Sequence, residues 1–232
     1  MPSALVTGGS SGIGLAIARM LRDEGYDLTL AARKLERLEA AGRDLAAEIV
    51  SADVRREDDC VRLVDAHTQR WGGLHVLVNS AGIGVAAPIA ELSAKHWDLQ
   101  LDVNLRGTFL VTQQALPQLR ASRGLIVNLS SIAGTLATPG LSAYGASKAA
   151  VIAFTRTLVR EEDANGIRAT ALCPAFVDTP MTEFVKEHVP AETMITTADV
   201  AESVRYLLKT SPGCVIPEIR FEQPGGGLGL PA

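Results

Sequence analysis

The chain has 232 residues, of which 47% are hydrophobic and 21% are charged, as is typical of one folded globular domain. Acidic residues outnumber basic residues by 26 to 22, and this balance argues against nucleic acid or an anionic membrane as a partner. The three cysteines and four histidines lack ligand spacing, so we expect no metal site and a reducing compartment. With no long apolar run and a first strand close to the N-terminus, the chain is expected to be cytoplasmic, without a signal peptide.

Apolar runs that favour strands alternate with helical patterns along the chain. The predicted strands are Ala4–Thr7, Asp27–Ala31, Glu48–Ser51, Leu74–Asn79, Gly124–Leu129, Arg168–Cys173 and Cys214–Ile219. Helical spacing, as at Ile13, Ile17 and Met20, separates these strands, and the helix around Val64 is expected to turn His67 toward solvent. Several strands are continuous apolar runs, which is typical of parallel strands covered on both faces. The pattern predicts a single α/β domain over residues 1–232, a doubly wound, mostly parallel sheet of the Rossmann type with helices on both faces.

A glycine-rich segment, Thr7-Gly8-Gly9-Ser10-Ser11-Gly12-Ile13-Gly14, connects the first predicted strand to the first helix. Glycines let the backbone approach a pyrophosphate, and a helix N-terminus offers that anion unpaired N–H groups and the positive end of its dipole. The alternative is a tight loop without a ligand, but a strand before it and a helix after it favour phosphate binding. The candidate cofactor residues in this loop are Gly8, Ser10, Ser11, Gly12, Ile13 and Gly14.

Four polar residues further along the chain are candidates for catalysis. Tyr144 and Lys148 are four residues apart, which places them on one face of a helix, where an ammonium group lowers the pKa of a tyrosine. Ser131 follows a predicted strand, and ligands bind beyond the carboxyl ends of strands in doubly wound folds. Asn104 lies within a predicted helix, where its amide needs a partner or a water molecule. Taken singly, each of these residues is equally typical of an exposed helix face, an N-cap or a satisfied core amide.

The glycine loop and these four residues together resemble the short-chain dehydrogenase/reductase family over about residues 4–208. The resemblance implies an enzyme that moves a hydride between a nicotinamide cofactor and a carbonyl or alcohol substrate. It implies that Tyr144 is the general acid/base and that Ser131 holds the substrate oxygen. It further implies that Lys148 binds the nicotinamide ribose and tunes Tyr144, and that Asn104 anchors a proton-relay water.

Other positions match the cofactor-binding pattern of that family with small departures. Asn79-Ser80-Ala81-Gly82 replaces the usual Asn-Asn-Ala-Gly, and Pro174-Ala175 replaces the usual Pro-Gly. The resemblance implies further cofactor contacts at Asp53, Val54, Asn79, Ala81, Gly82, Pro174, Val177 and Thr179, together with Tyr144 and Lys148. Asp53 is also an ordinary turn residue, so its assignment depends on the resemblance alone.

The end of the second predicted strand bears on the choice of cofactor. An acidic residue at this point binds the ribose 2′-hydroxyl and repels a 2′-phosphate. The chain has Arg33 and Lys34 here, a guanidinium fork and a second positive charge that suit a phosphate. The alternative is an ordinary basic helix start that pairs with Glu36. We therefore expect NADP(H) to be preferred over NAD(H), with an NAD(H)-dependent dehydrogenase of the same family as the alternative.

The substrate side is predicted from residues 176–197, where apolar and charged residues interleave as in an amphipathic lid helix over an apolar cleft. The candidate substrate-binding residues are Ser131, Ala133, Tyr144, Phe176, Met181 and Phe184. We also expect Ile83, Ile132 and Ala175 in the crevice, and an apolar ketone or aldehyde as the compound that is reduced. The alternative from another class is a non-catalytic, nucleotide-sensing protein, which would not need Tyr144.

The resemblance also has consequences for assembly. It implies a homodimer or homotetramer paired through two long helices, roughly Lys95–Leu119 and Ala143–Glu162. Small residues such as Ala146 and Ala149 would let a second helix approach closely. The last residues, about 224–232, are rich in glycine and predict a flexible tail.

Overall fold

The computed structural model describes residues 1–224, so the predicted tail lies almost entirely outside the described residues. The strands are β1 (Ser3–Thr7), β2 (Asp27–Ala32), β3 (Glu48–Ser51), β4 (Val76–Asn79), β5 (Leu125–Leu129), β6 (Arg168–Pro174) and β7 (Glu218–Phe221). The α-helices are α1 (Gly12–Asp23), α2 (Leu35–Leu45), α3 (Glu57–Trp71), α4 (Ala94–Leu101), α5 (Gly107–Ser122), α6 (Ser142–Glu161) and α7 (Thr197–Lys209).

The seven strands form one parallel sheet in the order β3-β2-β1-β4-β5-β6-β7. One hydrophobic cluster joins α1, α2 and α7 to one face, and a second joins α3, α5 and α6 to the other. The predicted doubly wound, Rossmann-type fold is therefore confirmed. The strand order reverses between β1 and β4, and in such sheets this reversal opens a crevice at the carboxyl ends of the strands.

The last strand begins later than predicted. The predicted strand spans Cys214–Ile219, whereas residues 214–217 form an irregular connection before β7. Within this connection the carbonyl of Pro217 accepts a hydrogen bond from the Ala171 N–H at 2.9 Å. The ladder starts only after Pro217, because proline has no N–H to donate to a neighbouring strand.

Helix α3 packs with a different face from the one predicted. It buries Cys60, Leu63, Val64 and His67, and His67 is 0% exposed, so its expected orientation toward solvent is wrong. The imidazole is held by Thr29 Oγ1, 2.8 Å from Nδ1, and by the Gly73 carbonyl, 3.0 Å from Nε2. A buried polar ring is stable when both nitrogens find partners, and one of these partners, Thr29, comes from β2, which is distant in sequence.

Three general features concern the described part of the chain. No helix there is long and apolar enough to cross a membrane. Residues 1–224 also contain no group of three or more histidine, cysteine or acidic side chains that could hold a metal ion. All three cysteines are free thiols, with Cys60 and Cys173 buried and Cys214 partly exposed.

Candidate active site

The loop between β1 and α1 brings a helix N-terminus to the carboxyl edge of the sheet. Gly12 has a φ of +54°, in the left-handed region that favours glycine. A Cβ added at Gly14 would lie 2.5 Å from the carbonyl oxygen of Gly8, so the loop packs too tightly for a side chain there. The side chain of Ser11, the N-cap residue, makes no capping hydrogen bond, which leaves the first N–H groups of α1 available to an anion.

A cleft of about 280 Å³ lies beside this loop. The predicted cofactor residues that line it are Gly8, Ser10, Ser11, Gly12, Ile13, Arg33, Lys34, Asp53, Val54, Ala81, Gly82 and Thr179. Ile83, which was expected in the crevice, lines this cleft as well. The glycine loop, the end of β2 and the end of β4 thus lie together on one cleft, as the topology requires.

Six predicted cofactor residues do not line the cleft: Gly14, Asn79, Tyr144, Lys148, Pro174 and Val177. Asn79 is 3% exposed, and its side-chain amide donates to Thr112 and to Asn128, both at 2.9 Å. Val177 is a core residue, and the carbonyl of Pro174 accepts a hydrogen bond from the Ser131 hydroxyl at 3.2 Å. The side chains of Asn79 and Val177 are therefore buried in the protein interior.

Three cations stand at the end of the cleft formed by β2 and α2. Arg33 and Lys34 were predicted, and Arg37, which lies in the first turn of α2 and also lines the cleft, was missed. All three are exposed, and none forms an ion pair with a described residue. The alternative pairing with Glu36 is therefore absent from this part of the structure.

The acidic residue on the wall of this cleft, Asp53, is already paired with an arginine. Arg55 Nε lies 3.0 Å from both carboxylate oxygens of Asp53. This hydrogen bonding holds the pKa of Asp53 below its usual value, and the nearby charge of Arg33 acts in the same direction. The net field at this end of the cleft is therefore positive.

A second cavity, of about 350 Å³, shares Met181 with the first. All of the predicted substrate residues line it, namely Ser131, Ala133, Tyr144, Phe176, Met181 and Phe184. Ala175, which was expected in the crevice, also lines it, and the wall residues that were not predicted are Gly84, Ala86, Leu141 and Thr182. Ile132, expected in the crevice, is instead fully buried beneath it. The two cavities are therefore adjacent at Met181.

The segment over this cavity differs from the predicted amphipathic helix. It contains two short 3₁₀ helices, Pro180–Val185 and Ala191–Thr193, with no α-helix between residues 176 and 196. The Thr182 hydroxyl donates to the carbonyl of Val177 at 2.6 Å and accepts from the Thr179 N–H at 3.2 Å. This capping tightens the first turn, and Pro190 limits any longer helix.

Tyr144 and Lys148 lie one turn apart on α6, with Lys148 Nζ 5.7 Å from the centre of the Tyr144 ring. Burial raises the pKa of Tyr144, and the neighbouring Ser131 hydroxyl opposes that rise. This direction is opposite to the predicted lowering, because removal from water disfavours the phenolate. Burial also lowers the pKa of Lys148 to about 8.

The Lys148 ammonium has hydrogen-bonding capacity to spare. Its residue is 4% exposed, and Nζ donates to the Leu129 carbonyl at 2.7 Å, its one hydrogen bond among the described residues. An ammonium group carries three donors. A Cβ added at Gly82, which lines the cofactor cleft, would lie 3.5 Å from Nζ. A nicotinamide dinucleotide fits these features: the free donors of Lys148, the uncapped N-terminus of α1 and the three cations at the β2 end of the cleft.

Asn104 lies on a π-helical turn, Asp102–Arg106, that joins α4 to α5 within the predicted long helix. Its Oδ1 accepts from the Ile83 N–H, and its Nδ2 donates to the Ile83 carbonyl, both at 2.9 Å. Nδ2 also donates to the Ser147 hydroxyl at 3.0 Å. The side chain thereby ties the loop after β4 to α6, and π turns of this kind are frequent at functional sites.

Comparison with known sequences gives one family. The model of the short chain dehydrogenase family matches residues 2–190. An uncharacterized oxidoreductase of Staphylococcus epidermidis is 40% identical over 183 residues, which cover 78% of this chain and 80% of that protein. An uncharacterized oxidoreductase of Staphylococcus aureus is 36% identical over 217 residues, covering 91% and 92% of the two chains.

Two solved structures are similar to this chain over nearly its whole length. An alcohol dehydrogenase from the archaeon Thermococcus sibiricus, complexed with 5-hydroxy-NADP, has a TM-score of 0.87 and 30% identity, covering 95% of this chain and 96% of its own. A variant of actinorhodin polyketide ketoreductase with NADPH has a TM-score of 0.90 and 34% identity, covering 98% and 97%. Both structures carry an NADP-type cofactor.

Proposed function

We propose, from the premise that this chain is an oxidoreductase of the short-chain dehydrogenase/reductase family, that it transfers a hydride between NADP(H) and a carbonyl or alcohol substrate. The observation that carries the proposal is the meeting of two cavities at Met181. One cavity has the features of a dinucleotide site, and the other contains the hydroxyls of Ser131 and Tyr144. The substrate proposed is an apolar ketone or aldehyde, and reduction is the proposed direction.

The preference for NADP(H) is supported by the charges at the β2 end of the cleft. Arg33, Lys34 and Arg37 have no ion-pair partner in the described residues, and Asp53 is occupied by Arg55. A 2′-phosphate would find three cations there, whereas a ribose 2′-hydroxyl would find no free carboxylate. The cofactors in the two similar solved structures are consistent with this preference.

The proposed mechanism assigns proton transfer to side chains of this chain, while the bound nicotinamide supplies or accepts the hydride. Ser131 holds the substrate oxygen, and Tyr144 donates its hydroxyl proton to that oxygen during reduction. Lys148 binds the ribose with its free donors, and its positive charge stabilises the phenolate that forms on Tyr144. Asn104 fixes the loop and α6 relative to each other, and its role in anchoring a relay water stays a prediction.

Other features of the proposal come from the family resemblance. The chain is proposed to act as a single domain in the cytoplasm, with residues 176–197 as its lid. It is proposed to assemble as a homodimer or homotetramer through the helical region of residues 95–119 and 143–162. Light scattering that showed a monomer at all concentrations would remove the assembly from the proposal.

The deciding experiment follows the absorbance of NADPH, and separately of NADH, with a panel of ketones and aldehydes. We expect turnover with NADPH, and a loss of at least about 100-fold in kcat in Tyr144→Phe, because the proton donor is removed. Equal or faster turnover with NADH would contradict the cofactor preference and leave the mechanism intact. Tight binding of NADPH without turnover of any compound would instead favour a nucleotide-sensing protein.

A further inference from the structure

The cavity that contains Ser131 and Tyr144 has no charged side chain on its wall. Three charged side chains of the segment above it bind one another. Lys186 Nζ lies 3.1 Å from an Asp178 carboxylate oxygen and 2.8 Å from a Glu183 carboxylate oxygen. The cavity wall therefore has no charged side chain, although charged residues are frequent in the neighbouring sequence.

The one buried cation nearby is not directed to this cavity. Lys148 Nζ donates to the carbonyl of Leu129, and Lys148 does not line the cavity wall. A carboxylate or phosphate attached next to a reacting carbonyl would lie beside Ser131 and Tyr144 without a cation. Removing such an anion from water without a partner is strongly unfavourable.

The size and the mouth of the cavity add to this description. About 350 Å³ lies near the lower end of the range for compact ligand pockets, roughly 300–1,000 Å³. Phe176 is buried in the wall, at 7% exposure, whereas Phe184 at the mouth remains 65% exposed. An exposed aromatic ring at a cavity mouth is typical of a surface that a ligand covers.

We infer that the site takes uncharged, ring-sized apolar carbonyl compounds and excludes those with a carboxylate or phosphate beside the carbonyl. Phe184 is the specificity residue at the mouth and acts on the part of the substrate that projects beyond the inner cavity. The inference deepens the proposed function and rests on it for the identity of the reacting group.

The first test compares phenylglyoxylate with its methyl ester, which place a carboxylate or a neutral ester beside the same carbonyl. Binding to Tyr144→Phe loaded with NADPH is measured by calorimetry, so that the result does not depend on turnover. We expect the ester to bind at least about tenfold more tightly than the acid. Equal or tighter binding of the acid would overturn the inference. Ester-selective binding to this variant, with no turnover of the ester in the wild type, would support the inference and count against the proposed function.

The second test addresses Phe184 with a two-ring and a small neutral ketone. For Phe184→Ala we expect kcat/KM to fall about fivefold or more with methyl naphthylglyoxylate and less than about twofold with diacetyl. Phe184→Leu should restore most of the loss, and Tyr206→Ala, which removes an aromatic ring of 58% exposure outside the cavity wall, should have no effect. Equal losses with both ketones, or none with the larger one, would rule out the mouth role. The affinities of the variants for the same two ketones, measured by competition binding, give this comparison independently of turnover.

Discussion

Buried polar side chains occur at both ends of the sheet, but their hydrogen bonding differs. At the amino end, His67 Nε2 donates to the Gly73 carbonyl, and Nδ1 accepts from Thr29 Oγ1. Thr29 Oγ1 in turn accepts from Trp71 Nε1 at 3.1 Å. Ser3 donates its hydroxyl to the Gly73 carbonyl at 2.6 Å, which completes the network.

At the carboxyl end the polar groups are not all used. The Lys148 ammonium has three donors but one hydrogen-bond acceptor among the described residues. Burial alone therefore does not distinguish a site from a structural network. The distinction is unused hydrogen-bonding capacity, since a group that a ligand must contact cannot be satisfied by the protein itself.

The largest expected effect concerns Lys148→Met. We expect kcat/KM to fall about 100-fold, because the cation that supports Tyr144 is removed. The free energy of unfolding should change by less than about 1 kcal/mol, since the lost hydrogen bond is offset by the removal of a desolvated charge. Steady-state kinetics and urea unfolding measure the two quantities. Retained activity with a large loss of stability would place Lys148 in the structural class with His67.

The reverse pattern is expected for His67→Ala at the amino end. Removing a fully buried, doubly hydrogen-bonded ring should lower the free energy of unfolding by about 3 kcal/mol. Activity per folded molecule should be unchanged, because the ring lies at the amino end of the sheet and the two cavities lie at the carboxyl end. His96→Ala, on the exposed surface of α4, serves as the control and should leave stability unaltered. A selective loss of kcat in His67→Ala would break the comparison.

The same histidine should make stability depend on pH. Burial lowers the pKa of folded His67 to about 4 from its usual 6.5. The unfolded chain therefore binds a proton that the folded chain does not, and stability is lost as pH falls from about 6.5 to about 4. A shift of this size corresponds to roughly 3 kcal/mol. The free energies of unfolding of the wild type and His67→Gln, measured against pH, should converge over that range. A constant difference between them would contradict the assignment.

The smallest expected effect concerns Arg37→Ala at the exposed end of the cofactor cleft. We expect the KM for NADPH to rise about fivefold and the KM for NADH to stay the same, as one exposed charge contributes about 1 kcal/mol. The rise should shrink at high salt. Arg43→Ala, on the same helix but away from the cleft, is the matched control. Equal changes for both cofactors would show that Arg37 does not contact a 2′-phosphate.

The sequence by itself determined the parallel α/β fold, the glycine loop and the pairing of Tyr144 with Lys148. These features depend on local signals: apolar runs of strand length, the residues between a strand and a helix, and a spacing of four residues on a helix. The residues expected around the substrate also line one cavity, because strand ends converge at one edge of a parallel sheet.

Only the tertiary structure decided which way side chains face and how strongly they are solvated. In the structure, α3 is oriented so that His67 is buried, and two short 3₁₀ helices stand where a lid helix was predicted. Arg37 also lines the cleft. It also reversed the expected pKa shift of Tyr144. Helix rotation and desolvation depend on neighbours that are distant in the chain, so no local pattern contains them.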